Sequence, residues 1–76
     1  MNRYTLDCRG LACPMPLVNI QKRMKDLEPG DEIDFIADDT SCVQDVPAWC
    51  GVTGNEVVSL ENTGGVITAV LRRGAS

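Results

Sequence analysis

Proline and glycine cut this sequence into short pieces, and that punctuation limits the fold more than any other feature. Pro29-Gly30 separates one apolar-periodic stretch from the next. Before it, Tyr4, Leu6 and Cys8 alternate with Thr5 and Asp7, the period of a half-buried strand. Arg9 to Ala12 is a connection with Gly10 as its turn point. A helix follows. Pro14 suits its first position and Pro16 still falls in its first turn, where no intrahelical N–H bond is lost. Leu17, Ile20, Met24 and Leu27 form its buried stripe, and it is predicted to stop at Glu28-Pro29-Gly30.

After the break, Ile33, Phe35 and Ala37 alternate with Glu32, Asp34 and Ile36 as a second strand. Asp38-Asp39-Thr40-Ser41 is a turn rich in capping residues. A second helix is expected from Val43 to about Cys50, starting late or kinked at Pro47, with Gly51 and Gly54 ending it. Asn55 to Glu61 and Val66 to Arg72 read as strands joined by an Asn62-Thr63-Gly64-Gly65 hairpin. The order β-α-β-α-β-β implies an α+β, two-layer sandwich with both helices on one face of a four-stranded mixed sheet.

Seventy-six residues make one domain, spanning 1–76. A core this small supplies roughly 3–5 kcal/mol, so a deep catalytic pocket is not expected. Chemistry should sit on an exposed element and be completed by a partner. The absence of histidine excludes Ser–His–Asp and Cys–His catalysis and histidine-ligated metals. Seven Lys+Arg against eleven Asp+Glu give net −4, without the basic footprint of a nucleic-acid binder, so no direct nucleic-acid partner is expected. There is no run of about 18 apolar residues and no apolar leader at the N-terminus. A cytoplasmic location follows as an expectation, with the four cysteines reduced.

The informative segment is Gly10-Leu11-Ala12-Cys13-Pro14-Met15-Pro16-Leu17. It sets a cysteine at a helix start stiffened by two prolines. Unpaired N–H groups of a first helical turn stabilise a thiolate and lower its pKa. Cys13 therefore reads as a displayed nucleophilic thiol, or else as a small buried hydrophobe. Arg9, Lys22 and Arg23 are the cations nearby in sequence.

Cys13-Pro14-Met15-Pro16, with Leu6-Asp7 and Gly10-Leu11 before it, resembles the TusA/SirA family of small sulfur-carrier proteins. The resemblance continues through Leu27-Glu28-Pro29-Gly30-Asp31, Ala37-Asp38-Asp39, Asp45-Val46-Pro47-Ala48-Trp49-Cys50 and Thr53-Gly54-Asn55-Glu56, essentially the whole chain. It implies a β-α-β-α-β-β sandwich like the C-terminal domain of translation initiation factor three. It also implies a persulfide carried transiently on Cys13, with no other cofactor. Sulfur would come from a cysteine desulfurase, a rhodanese or thiosulfate and pass to an acceptor protein, in tRNA thiolation, sulfur oxidation or molybdenum-cofactor supply. The site would then be Cys13 as the catalytic residue, with Gly10, Pro14 and Pro16 shaping the helix start. A membrane transporter is among the partners this leaves open, and nothing demands more than a monomer.

Cys8 and Cys50 read as core thiols, with a resolving role toward Cys13 as the functional alternative. Cys42, at the start of the second helix, could be a second low-pKa thiol. Four residues separate Cys8 from Cys13, which just suits a four-cysteine zinc site, but seven separate Cys42 from Cys50, which does not, so no metal is assigned. Trp49 is core or partner surface. Glu28, Asp31, Glu32, Asp34, Asp38 and Asp39 read as a solvated acidic face that could steer a basic partner, and Arg72 and Arg73 as tail charge. Two other functions stay open: a thiol–disulfide redox protein using Cys13 with Cys8 or Cys50, and a non-enzymatic interaction domain.

Overall fold

The computed structural model describes residues 2–12 and 14–74. Its elements are β1 (Arg3–Asp7), α1 (Met15–Met24), β2 (Glu32–Ala37), α2 (Cys42–Thr53), β3 (Glu56–Thr63) and β4 (Val66–Arg72). The four strands form one mixed sheet in the order β1-β2-β4-β3. β1 runs parallel to β2; β4 is antiparallel to both β2 and β3. Parallel β1 and β2 need a crossover, and α1 supplies it.

The alternation read in β2 sets the core. Ile33, Phe35 and Ala37 are buried, and they face Leu71, Ala69 and Ile67 of β4 across the ladder. Ile20, Met24 and Leu27, together with Val46, Cys42 and Cys50 of α2, belong to the same buried cluster. Both helices therefore cover one sheet face. The other face carries ion pairs, Arg3 with Asp34 and Arg72 with Glu32 and Glu56.

Element ends differ from the sequence reading where distant contacts intervene. α1 stops at Met24 rather than near Glu28. The amides of Asp26 and Leu27 turn back to the carbonyls of Arg23 and Met24, at 3.1 and 3.2 Å. This tighter last turn swings Leu27 into the core. Pro16 joins Ile20 and Met24 in the buried stripe of α1, while Leu17 is partly buried beside it. α2 starts at Cys42, runs straight through Pro47 and Gly51, and ends at Gly54. Pro47 and Gly51 are both exposed, and the buried Val46 and Cys50 hold the helix to the sheet instead. β3 extends to Thr63, so the hairpin is a two-residue turn. Gly64 and Gly65 both take positive φ, +59° and +89°, as a primed turn requires. A register shift between Val57 and Ser59 puts a bulge in this edge strand.

The acidic residues between the helices do not form one solvated face. Asp31 is buried, and its carboxylate accepts the amides of Asn2 and Glu28 at 2.9 and 3.0 Å. Those two bonds hold its pKa below the ordinary 3.8. A lowered folded-state pKa contributes stability above the unfolded value, and that contribution disappears as pH falls through the folded one. Stability should accordingly drop below about pH 4. In Asp31→Asn, urea unfolding at neutral pH should need less denaturant, and the difference from wild type should shrink in acid. A constant difference at all pH values would remove Asp31 from the acid response.

Candidate functional site

The loop between β1 and α1 is built donor by donor. The amide of Cys8 bonds the carbonyl of Ile36 at 2.7 Å, continuing the parallel ladder by one residue. The Arg9 amide turns onto the Asp7 carboxylate at 3.0 Å, and its guanidinium grips the same group, Nε at 3.0 Å and Nη2 at 2.7 Å. This fork, with the backbone bond, pulls the Asp7 pKa down to about 2. Gly10 sits at φ +85° and gives its amide to both carboxylate oxygens of Asp38, each at 3.0 Å. Leu11 N–H bonds the Cys8 carbonyl at 3.2 Å. On the helix side, Met15 N–H bonds the Ala12 carbonyl at 2.9 Å and Val18 N–H that of Pro14 at 3.1 Å.

Cys13 itself lies outside the described residues. Its neighbours Ala12 and Pro14 are exposed, and Met15 is 45% exposed. Pro16 is buried and pins the first turn of α1 to the core. The sequence reading supposed several unpaired amides at this helix start. The structure leaves fewer: Pro14 and Pro16 have none, and that of Met15 is used by Ala12. Nor are the nearby cations idle. Arg9 is held by Asp7, and Arg23 lies over the Tyr4 ring, 5.9 Å from its centroid. What the turn supplies is stiffness first and a partial positive end second.

Residues 4–73 match the family described as Sulfurtransferase TusA. The chain belongs to the TusA/SirA family. A candidate sulfur carrier protein of Bacillus subtilis (strain 168), YrkF, is 44% identical over 69 residues, which cover 91% of this chain and 37% of that protein. The chain thus spans little more than a third of the length of that relative. The crystal structure of a SirA-like protein from Desulfitobacterium hafniense superposes with a TM-score of 0.79 at 26% identity, covering 93% of this chain and 97% of that one. That SirA-like neighbour and this chain share the same overall fold.

In this TusA/SirA chain the other thiols are all interior. Cys8, Cys42 and Cys50 are each 1% exposed. Burial pushes the Cys50 thiol up to about 11, and burial also raises Cys8, partly offset by the Asn19 amide at 3.9 Å from its sulfur. Cys42, which the sequence left open as a second low-pKa thiol, is a core side chain at the first position of α2. Trp49, on α2, is half-buried and packs against the core. Among the described residues no group of three or more Cys, Asp or Glu could hold a metal ion. No described helix is long and apolar enough to cross a membrane. The residue missed from the sequence is Asp38. It was read as part of an acidic face, but it binds the Gly10 amide. Its sequence signals are its place just past β2 and the Ala37-Asp38-Asp39 stretch within the family resemblance.

Proposed function

We propose that this chain is a sulfur carrier that holds sulfane sulfur as a persulfide on Cys13 and relays it between a donor and an acceptor protein. The observation that carries this reading is the burial of Cys8, Cys42 and Cys50 in the core, which leaves Cys13, in sequence between the exposed Ala12 and Pro14, as the thiol for the chemistry. Membership of a family named for sulfur transfer supports it. The step needs no histidine. The Cys13 thiolate attacks the terminal sulfur of a donor persulfide, the donor S–S bond breaks, and the donor thiolate leaves. Cys13 gains the sulfur and nothing is oxidised or reduced overall. With thiosulfate as donor the leaving group is sulfite. An ordinary thiol with pKa about 8.5 is only ~3% ionised at neutral pH, so even a modest lowering at the helix start raises the rate.

The donors are a desulfurase, a rhodanese-type protein or thiosulfate, the acceptor is a protein, and the compartment is the cytoplasm. Cys13 holds the sulfur without a resident cofactor. Burial and neutrality of Cys8 and Cys50 count against a redox pair with Cys13. Intact mass after exposure to thiosulfate, or to a cysteine desulfurase with cysteine, tests the reading. Wild type should gain one sulfur that dithiothreitol removes, and Cys13→Ser none. Sulfur on Cys13→Ser would overturn it by moving the carrier site to another thiol, and none on wild type from either donor would overturn it in favour of the interaction-domain reading.

A further inference from the structure

We propose that Asp38 is a positioning residue for the Cys13 loop, acting through the Gly10 amide; the proposal rests on the sulfur-carrier reading. Two of the loop's other donors stay local, while the Cys8 amide continues the ladder to Ile36. The Arg9 amide reaches back two residues to Asp7, and that of Leu11 three residues to Cys8. The Gly10 amide instead crosses to a side chain 28 positions later. The topology explains the meeting. β1 and β2 are parallel with Asp7 opposite Ile36, so the chains leave the sheet side by side at one edge. Asp38 directly follows β2, and Gly10 lies three residues past the end of β1.

Within its own turn, Asp39 accepts the Ser41 amide at 3.0 Å and hydroxyl at 2.7 Å on Oδ1. Asp38 reaches across to the other loop with both oxygens. Gly10 meets it at φ +85°, a conformation that a side chain rarely adopts. Three residues on comes Cys13, and beyond it Pro14 and Pro16 fix the helix start. The cysteine is thereby bracketed by a tether on one side and a stiff turn on the other. A thiol that must meet a donor sulfur in line loses rate when its loop wanders, since small misplacements of reacting atoms are costly. Asp38 is exposed, so the tether should affect the loop far more than global stability.

The test compares Asp38→Ala with Asp38→Asn. Both remove the charge, but asparagine keeps one acceptor oxygen. Sulfur loading of Cys13 from a cysteine desulfurase with cysteine should fall about tenfold in D38A and stay within about threefold in D38N, with unchanged melting temperature. The Gly10 amide should exchange with deuterium faster in D38A than in wild type, whether or not sulfur is supplied. Wild-type loading in D38A, equal loss in both variants, or unchanged Gly10 exchange would each overturn the proposal. Faster exchange in a protein whose wild type takes up no sulfur would overturn the carrier reading itself, and with it the purpose of the tether.

Discussion

Replacing Phe35 with alanine is expected to leave most of the chain unfolded at room temperature. Phe35 is 1% exposed and sits on β2 between Leu6 of β1 and Ala69 of β4. Truncating a buried phenylalanine costs about 3–5 kcal/mol. A single core of this size supplies roughly the same amount in total. The small Ala69 opposite cannot expand to fill the space. Phe35→Leu keeps most of the volume and should cost less than about 1.5 kcal/mol. Urea titrations followed by far-ultraviolet circular dichroism separate the two. F35A should show no native baseline, and F35L a cooperative transition at a lower midpoint. An F35A midpoint close to wild type would mean that the core collapses around the gap and is far less tightly packed than its burial indicates.

Arg72 and Arg73, adjacent in sequence and both read as tail charge, should give opposite results when changed to alanine. Arg73 sends Nη1 to the carbonyls of Met24 and Leu27, at 2.8 and 3.0 Å, and so closes the C-terminal end of α1. Its backbone clamps the same corner, its amide on the Asp31 carbonyl and its carbonyl on the Gly30 amide. A cation at a helix C-terminus, bonded to otherwise unpaired carbonyls, is favourable twice over. Losing two charge-assisted bonds there should cost about 2 kcal/mol, or roughly 10 °C of melting temperature for a chain of this length. Arg72 lies on the open sheet face with its side chain 38% exposed, paired with Glu32 at 2.9 Å and Glu56 at 3.4 Å. Such pairs are worth about 0–1 kcal/mol, and added salt screens them. Thermal melts of R73A, R73K and R72A at low and high salt decide the matter. R73A should melt well below R72A, R73K should recover part of the loss, and only the R72A effect should shrink with salt. Equal small losses for R73A and R72A would return Arg73 to the surface role.

Much of the fold was legible because its signals are local. Ile33, Phe35 and Ala37 stand two apart, and a period of two in a short segment has one reading. Ile20 and Met24 mark a helical face in the same way. Breakers did less well at the ends. Gly51 reads as a stop, yet a glycine costs a helix only about 1 kcal/mol, and burial of Val46 and Cys50 outweighs it. Likewise the hairpin was placed too early, because nothing in Asn62-Thr63 by itself shows that pairing with Val66 and Ile67 continues.

The candidate site divides along the same line. The cysteine between the glycine turn and two prolines is a pattern of neighbours in sequence, and it was visible there. So was the order of strands and helices, since periodicity and punctuation act within a few residues. What only the tertiary structure decided were contacts between segments far apart. Parallel pairing of β1 with β2 brought Asp38 to Gly10, 28 residues away. Packing of the end of β4 under α1 brought Arg73 to Met24, 49 residues away. The energy of such contacts depends on which surfaces the chain has already buried together, and no local pattern of residue types carries that information.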